Sequence, residues 1–63
     1  MHFNFYAVQV KRLQKLIPDK TIAWAGLDDD FVFIKVNGSD RVIPRNDLRK
    51  MINLPRIAES LCR

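Results

Sequence analysis

The stretch Ile22–Ile43 constrains this chain most, because it reads as three consecutive strands whose two faces are both apolar. Phe31-Val32-Phe33-Ile34-Lys35-Val36 runs into Asn37-Gly38, and the chain returns through Arg41-Val42-Ile43. Asn-Gly between apolar runs marks a tight hairpin, since both residues accept the positive φ of a type I′ turn. Upstream, Thr21-Ile22-Ala23-Trp24-Ala25-Gly26-Leu27 leads into Asp28-Asp29-Asp30, a second polar turn. A sheet that is apolar on two sides has to be covered twice, by helices of its own chain or by another molecule.

The faces follow from the register. With an even number of residues in the first loop, Trp24 stands across from Phe33 and Gly26 across from Phe31. Ile22, Trp24, Phe31, Phe33 and Val42 then share one face. Ala23, Ala25, Leu27, Val32, Ile34, Val36 and Ile43 share the other. A bulge at Asp28–Asp30 would shift the first strand to the opposite side. The second face is small and β-branched, so a helix can lie close to it. The first is bulky and aromatic, and it reads as core or interface in preference to a base-stacking platform.

Asn4 is placed to cap a helix from Phe5 to about Ile17. Phe5, Tyr6, Val10, Leu13, Leu16 and Ile17 fall within about 140° of its circumference, a core-facing stripe. Phe3, Phe5 and Ala7 also alternate with polar or amphipathic neighbours, as a strand would, but the cap and the stripe favour helix. After Ile43, Asn46 is a second candidate cap, with Asp47 in the first turn. Leu48, Met51 and Ile52 make one apolar side there, and Arg45, Arg49 and Lys50 lie away from it. Pro55 breaks or restarts the helix, and Leu54, Ile57, Ala58, Leu61 and Cys62 repeat at helical spacing. Glu59 and Arg63 form an i,i+4 pair. The expected fold is a small single α+β domain over residues 1–63. Its order is αβββαα: a three-stranded antiparallel meander with an N-terminal helix and one or two short C-terminal helices.

A chain of 63 residues buries too little surface to be stable with ease, and staples usually help. Cys62 is the only cysteine and His2 the only histidine, so neither an internal disulfide nor a His/Cys metal site is available. Packing, self-association or a partner must serve instead, which makes a homodimer the expectation. Lys11 and Arg12 follow the first apolar stretch where a signal peptide has them precede it, and no apolar run approaches the ~18 residues of a membrane span. A reducing cytoplasm without membrane contact is the expected setting.

No constellation points to catalysis. Contiguous Asp28-Asp29-Asp30 point in different directions and fit a solvated turn better than a calcium loop. Cys62, on the apolar stripe of the last helix, reads as buried and inert. The expectation is a non-enzymatic protein with no cofactor and no metal. The basic residues form two groups, and the net charge is +4. Arg41, Arg45, Arg49 and Lys50 run from the last strand into the following helix, where Arg45 and Arg49 would point the same way and track phosphates. Lys11, Arg12 and Lys15 form a secondary basic face on the first helix. The leading expectation is therefore a nucleic-acid-binding regulatory or accessory factor that uses the basic helix–strand edge. The alternative is a protein-interaction module, as an obligate homodimer or as a small inhibitor or subunit of a larger protein. It would use Trp24, Phe31 and Phe33 on the sheet, or Leu54, Ile57 and Leu61 on the last helix, as its interface.

Overall fold

A computed structural model describes residues 4–63. Helix α1 (Phe5–Leu16) starts where Asn4 Oδ1 accepts the Ala7 amide at 3.1 Å, as the sequence suggests. The helical backbone decides against a strand from Phe5 onward; Phe3 and His2 lie outside the described residues. Gln14 then shapes the turn at Pro18. Its amide donates to the Ile17 and Lys20 carbonyls, and its Oε1 accepts the Ile22 amide at 2.7 Å. One side chain thus joins the end of α1 to the first strand.

Strands β1 (Ile22–Leu27), β2 (Phe31–Val36) and β3 (Ser39–Pro44) form an antiparallel sheet in the order β1-β2-β3. The β2–β3 turn has Asn37 at φ 51° and Gly38 at φ 84°, the left-handed pair a type I′ turn requires. Asn37 also bonds Thr21 through both its amide and its side chain, tying this turn to the start of β1. At the other end, Asp28 Oδ1 accepts the Asp30 and Phe31 amides, so the acidic triplet is a side-chain-capped turn.

The register of β1 differs from the expected one. Trp24 pairs with Ile34 and Gly26 with Phe33, leaving Ala25 as an extra residue between them. The bulge falls at Ala25, not in Asp28–Asp30, and it turns Ile22 and Trp24 to the side of Ile34 and Val36. Ala23 moves to the opposite side, across from Lys35. Ile22 and Leu27 are five residues apart, and the inserted residue places both on the helix side, where Ile22 packs against the core and Leu27 stays exposed. At Gly26 the Phe33 ring would sit 3.8 Å from an added Cβ, ordinary contact distance.

The chain leaves β3 directly into α2 (Arg45–Leu48), because the Arg45 amide donates to the Asp30 carbonyl at 2.9 Å. Pro44 therefore holds the cap position and Asn46 lies inside the helix. A single 3-10 turn (Met51–Asn53) follows, then α3 (Leu54–Leu61) with Pro55 in its first turn, where a missing amide costs nothing. Glu59 and Arg63 pair at 3.5 Å.

The core lies between the sheet and the helices. Val10, Leu13 and Ile17 meet Val32, Ile34, Val36, Ile43 and Leu48, and α3 adds Leu54, Ile57, Ala58 and Leu61. Leu54, Ile57 and Leu61 are thus core, not the interface the sequence allowed, because the helix-side sheet face needs them as its cover. Cys62, one residue beyond them, is exposed. Met51 and Ile52 do not join Leu48 in the core: the 3-10 turn rotates them outward. Phe5 and Leu16 stand at the exposed margin of the α1 stripe, and Gln9 is buried in their stead. Its Nε2 donates to the Leu48 carbonyl at 2.8 Å and its Oε1 accepts from Arg12 at 2.7 Å, so the burial leaves no polar atom unpaired.

Candidate nucleic-acid interface

The four cations of the expected helix–strand edge are split by the fold. Arg41 pairs across from Ile34, on the helix side, and its Nη2 donates to the Ser60 carbonyl at 3.3 Å. It is half-buried and serves the exposed end of α3. Arg45 turns the other way. Its Nη1 donates to the Asp28 carbonyl at 2.7 Å, and its guanidinium lies 5.0 Å from the centre of the Tyr6 ring. The Tyr6 side chain first, opposed by desolvation and reinforced by Asp29 and Asp28, raises its pKa above the ordinary arginine value. Arg45 is a clamp between the acidic turn and α1, and Arg45 and Arg49 do not present one stripe. Arg49 and Lys50 are exposed and line a shallow concavity with Asn46, Asp47 and Asn53.

One contact links the neighbourhood of Arg49-Lys50 to the secondary basic face. Arg12 donates through Nη1 to the Met51 sulfur at 3.2 Å, so α1 touches the segment that immediately follows Lys50. Arg12 and Lys15 line a second concavity with Leu16, Met51, Leu54 and Pro55. Lys11, Arg12 and Lys15 are all exposed. Sequence spacing gives no sign of this junction, since Arg12 and Met51 are 39 residues apart. Gln9, three residues before Arg12 and facing Leu48, is the local feature that aims Arg12 toward it.

Charge separates with the layers. Residues 4–16 and 45–63, the helices and their joints, carry eight Lys or Arg against two acids, a net +6. Residues 17–44, the sheet and its turns, carry three against five, a net −2. The modest overall charge therefore hides a strongly cationic helical layer.

Among the described residues no helix lies over the far face of the sheet. Phe31 pairs with Pro44, Phe33 with Val42, and Lys35 with Asp40, whose side chains meet at 3.2 Å. Phe31 is 40% exposed and Val42 58%, so of the two readings the sequence offered for the aromatic face, core or interface, it is not the packed core. Trp24, on the other side of the edge strand, is 37% exposed. The open face is apolar and its Lys35–Asp40 pair neutralises itself, which suits an apolar partner better than a phosphate chain.

Among the described residues no group of three or more His, Cys, Asp or Glu is placed to hold a metal ion, and no helix is long and apolar enough to cross a membrane. No protein-family model matches the chain, and searches of the curated proteins and of the solved structures find no similar protein.

Proposed function

We propose that this is a small non-enzymatic nucleic-acid-binding protein whose contact surface is its helical layer: Lys11, Arg12 and Lys15 on α1 with Arg49 and Lys50 beside the 3-10 turn. The observation that carries the reading is the charge separation, +6 on the helical layer against −2 on the sheet segment. Such asymmetry concentrates potential on one side and orients a polyanion before contact. The Arg12–Met51 contact supports joining the two basic groups into one surface. Arg41 and Arg45, already engaged with Ser60 and Asp28, support the fold more than they support binding. The single cysteine fits a reducing compartment such as the cytoplasm.

The test is binding of a labelled DNA duplex across a salt series, followed by fluorescence anisotropy. Binding should weaken steeply as salt rises, with each phosphate-contacting cation removed lowering the slope by about one unit. Lys15→Glu with Arg49→Glu should abolish binding. The same charge change made on the sheet segment, Lys20→Glu with Lys35→Glu, should matter much less. Equal losses would mean unspecific attraction to a basic chain, and no binding of the wild type at low salt ends the reading.

The uncovered face of Phe31, Phe33 and Val42 favours a second reading, a protein interface in which a homodimer is the simplest case. Light scattering over a concentration series tests it. Val42→Lys should remove any association while leaving the melt unchanged.

A further inference from the structure

The 3-10 turn carries the most exposed large apolar side chain of the described residues, directly after Arg49-Lys50. Ile52 is 83% exposed, Met51 beside it 55%, and Leu16, which shares a concavity with Met51, 49%. A lone exposed isoleucine is ordinary. Three such residues joined within a +6 layer are not a scatter, and their surroundings are banked. On one side Arg12 and Lys15 line the first concavity; on the other Arg49 and Lys50 line the second. Ile52 lines neither and forms the exposed ridge of a turn whose neighbouring residues line both, Met51 and Leu54 the first, Lys50 and Asn53 the second.

The ridge is tied on both flanks. Asn53 donates its side-chain amide to the Asp47 carbonyl at 3.0 Å and its backbone amide to Lys50 at 3.0 Å. Met51 is held against Arg12, and Pro55 stiffens the turn into α3. An apolar crest on a stiff turn between two cationic banks is complementary to a groove with a phosphate strand on each side. The duplex minor groove is about 6 Å wide, room for one aliphatic side chain between its two backbones. Proteins that bind there commonly push Ile, Leu or Met between base pairs and kink the duplex.

We propose that Ile52, backed by Met51, is a wedge that enters a base step of duplex DNA from the minor groove while the flanking cations hold the two backbones. The proposal rests on the nucleic-acid reading above. It adds the class of target, duplex over single strand, and a consequence, bending. Flexible pyrimidine–purine steps should be preferred, since they unstack most easily.

The experiment uses a short duplex labelled at its two ends for energy transfer, with one central TA step, and the wild-type chain beside Ile52→Ala and Ile52→Ser. Because Ile52 lies outside the core, both variants should melt with the wild type, which circular dichroism checks. The wild type should shorten the end-to-end distance, as a kink of about 20–90° requires. Both variants should bind with the wild-type salt slope but leave the duplex straight, and they should lose the preference for the TA step. Variants that bend the duplex like the wild type overturn the wedge and leave the binding reading standing, as does tight wild-type binding without bending. Absence of any wild-type binding at low salt ends both. A last arm uses vesicles of phosphatidylserine and phosphatidylcholine: Ile52-dependent vesicle binding without DNA bending overturns the proposal in favour of an anionic membrane surface.

Discussion

Strand β2 sends alternate side chains into two different environments. Val32, Ile34 and Val36 are buried against the helices, whereas Phe31, Phe33 and Lys35 face away from them, with Phe31 two-fifths exposed. Both sets suit a strand, and the outward one has the larger rings. Propensity therefore does not separate them; cover does. Among the described residues every buried polar side-chain atom has a partner, down to the Gln9 amide that donates to the Leu48 carbonyl. On the open face a Lys–Asp pair sits among the aromatic and aliphatic residues with both side chains more than half exposed. Stability should come from the first face, and the second should be nearly free to change in the isolated chain.

The sharpest way to break that comparison is to truncate one residue on each face. Ile34→Ala should cost about 2–5 kcal/mol, as large aliphatic truncations in packed cores do. A core in a chain this small rarely supplies more than about 3–5 kcal/mol in all, so the cooperative melt should vanish. Phe31→Ala on the open face should keep a cooperative melt near that of the wild type. Thermal unfolding followed by circular dichroism decides it, and a collapsed Phe31→Ala beside an intact Ile34→Ala would reverse the assignment of core and surface.

A smaller effect probes how the covered face is closed. Gln9→Ala leaves the Leu48 carbonyl without its donor and frees the Arg12 guanidinium from its acceptor. An unsatisfied buried group costs about 1–3 kcal/mol, readable as a lower urea midpoint. A variant as stable as the wild type would show that water replaces the side chain, and that the helix side is less tightly sealed than its packing indicates.

The hairpin that sets both faces in register gives the next effect. Gly38 lies at φ 84° with open space where a Cβ would go, so only backbone conformation opposes a side chain there. Gly38→Val should cost about 1–2 kcal/mol, the penalty of a left-handed conformation for an L-residue, and more if the β-branch adds to it. Gly38→Asn should recover much of the loss, since asparagine tolerates that region. Equal melting of the two variants would contradict the turn as the source of the strain.

The order of elements was legible because it rests on local signals: the Asn4 cap, the Asn37-Gly38 turn and the Pro55 restart each act within a few residues. The helix-side set Val32, Ile34, Val36 and Ile43 was legible for the same reason, as a period-of-two pattern. The first strand was misread because the bulge lies at Ala25 and not in Asp28–Asp30. Its mark is Gly26, a glycine inside the strand run beside Ala25, and one extra residue reverses every side chain before it. The role of α3 was missed because an amphipathic stripe looks alike whether it covers its own sheet or another molecule. The basic site was read as a linear run, but chain direction turns at Pro44 and again at the 3-10 turn. Arg41 and Arg45 are drawn into carbonyl contacts, and Arg12 is carried to Met51 from far along the chain. Tertiary proximity of this kind has no local signature.

The smallest effect concerns the Lys35–Asp40 pair on the open face, at 3.2 Å with both side chains more than half exposed. A double-mutant cycle with Lys35→Met and Asp40→Asn should give a coupling of about 0.2–1 kcal/mol, the usual worth of an exposed pair. It should shrink as salt rises, because charges in water are screened within about 10 Å at 0.1 M. The value of the cycle lies in repeating it at high protein concentration. If the open face stays in water, the coupling is the same at both concentrations. If a second copy covers Phe31, Phe33 and Val42, the pair is dehydrated with them, and its coupling must grow and lose its salt dependence. A buried pair also costs desolvation, so the uncharged double variant should then associate at least as well as the wild type. A coupling independent of concentration, with no association of the double variant, would leave this face uncovered and confine the interactions of the chain to its cationic helical layer.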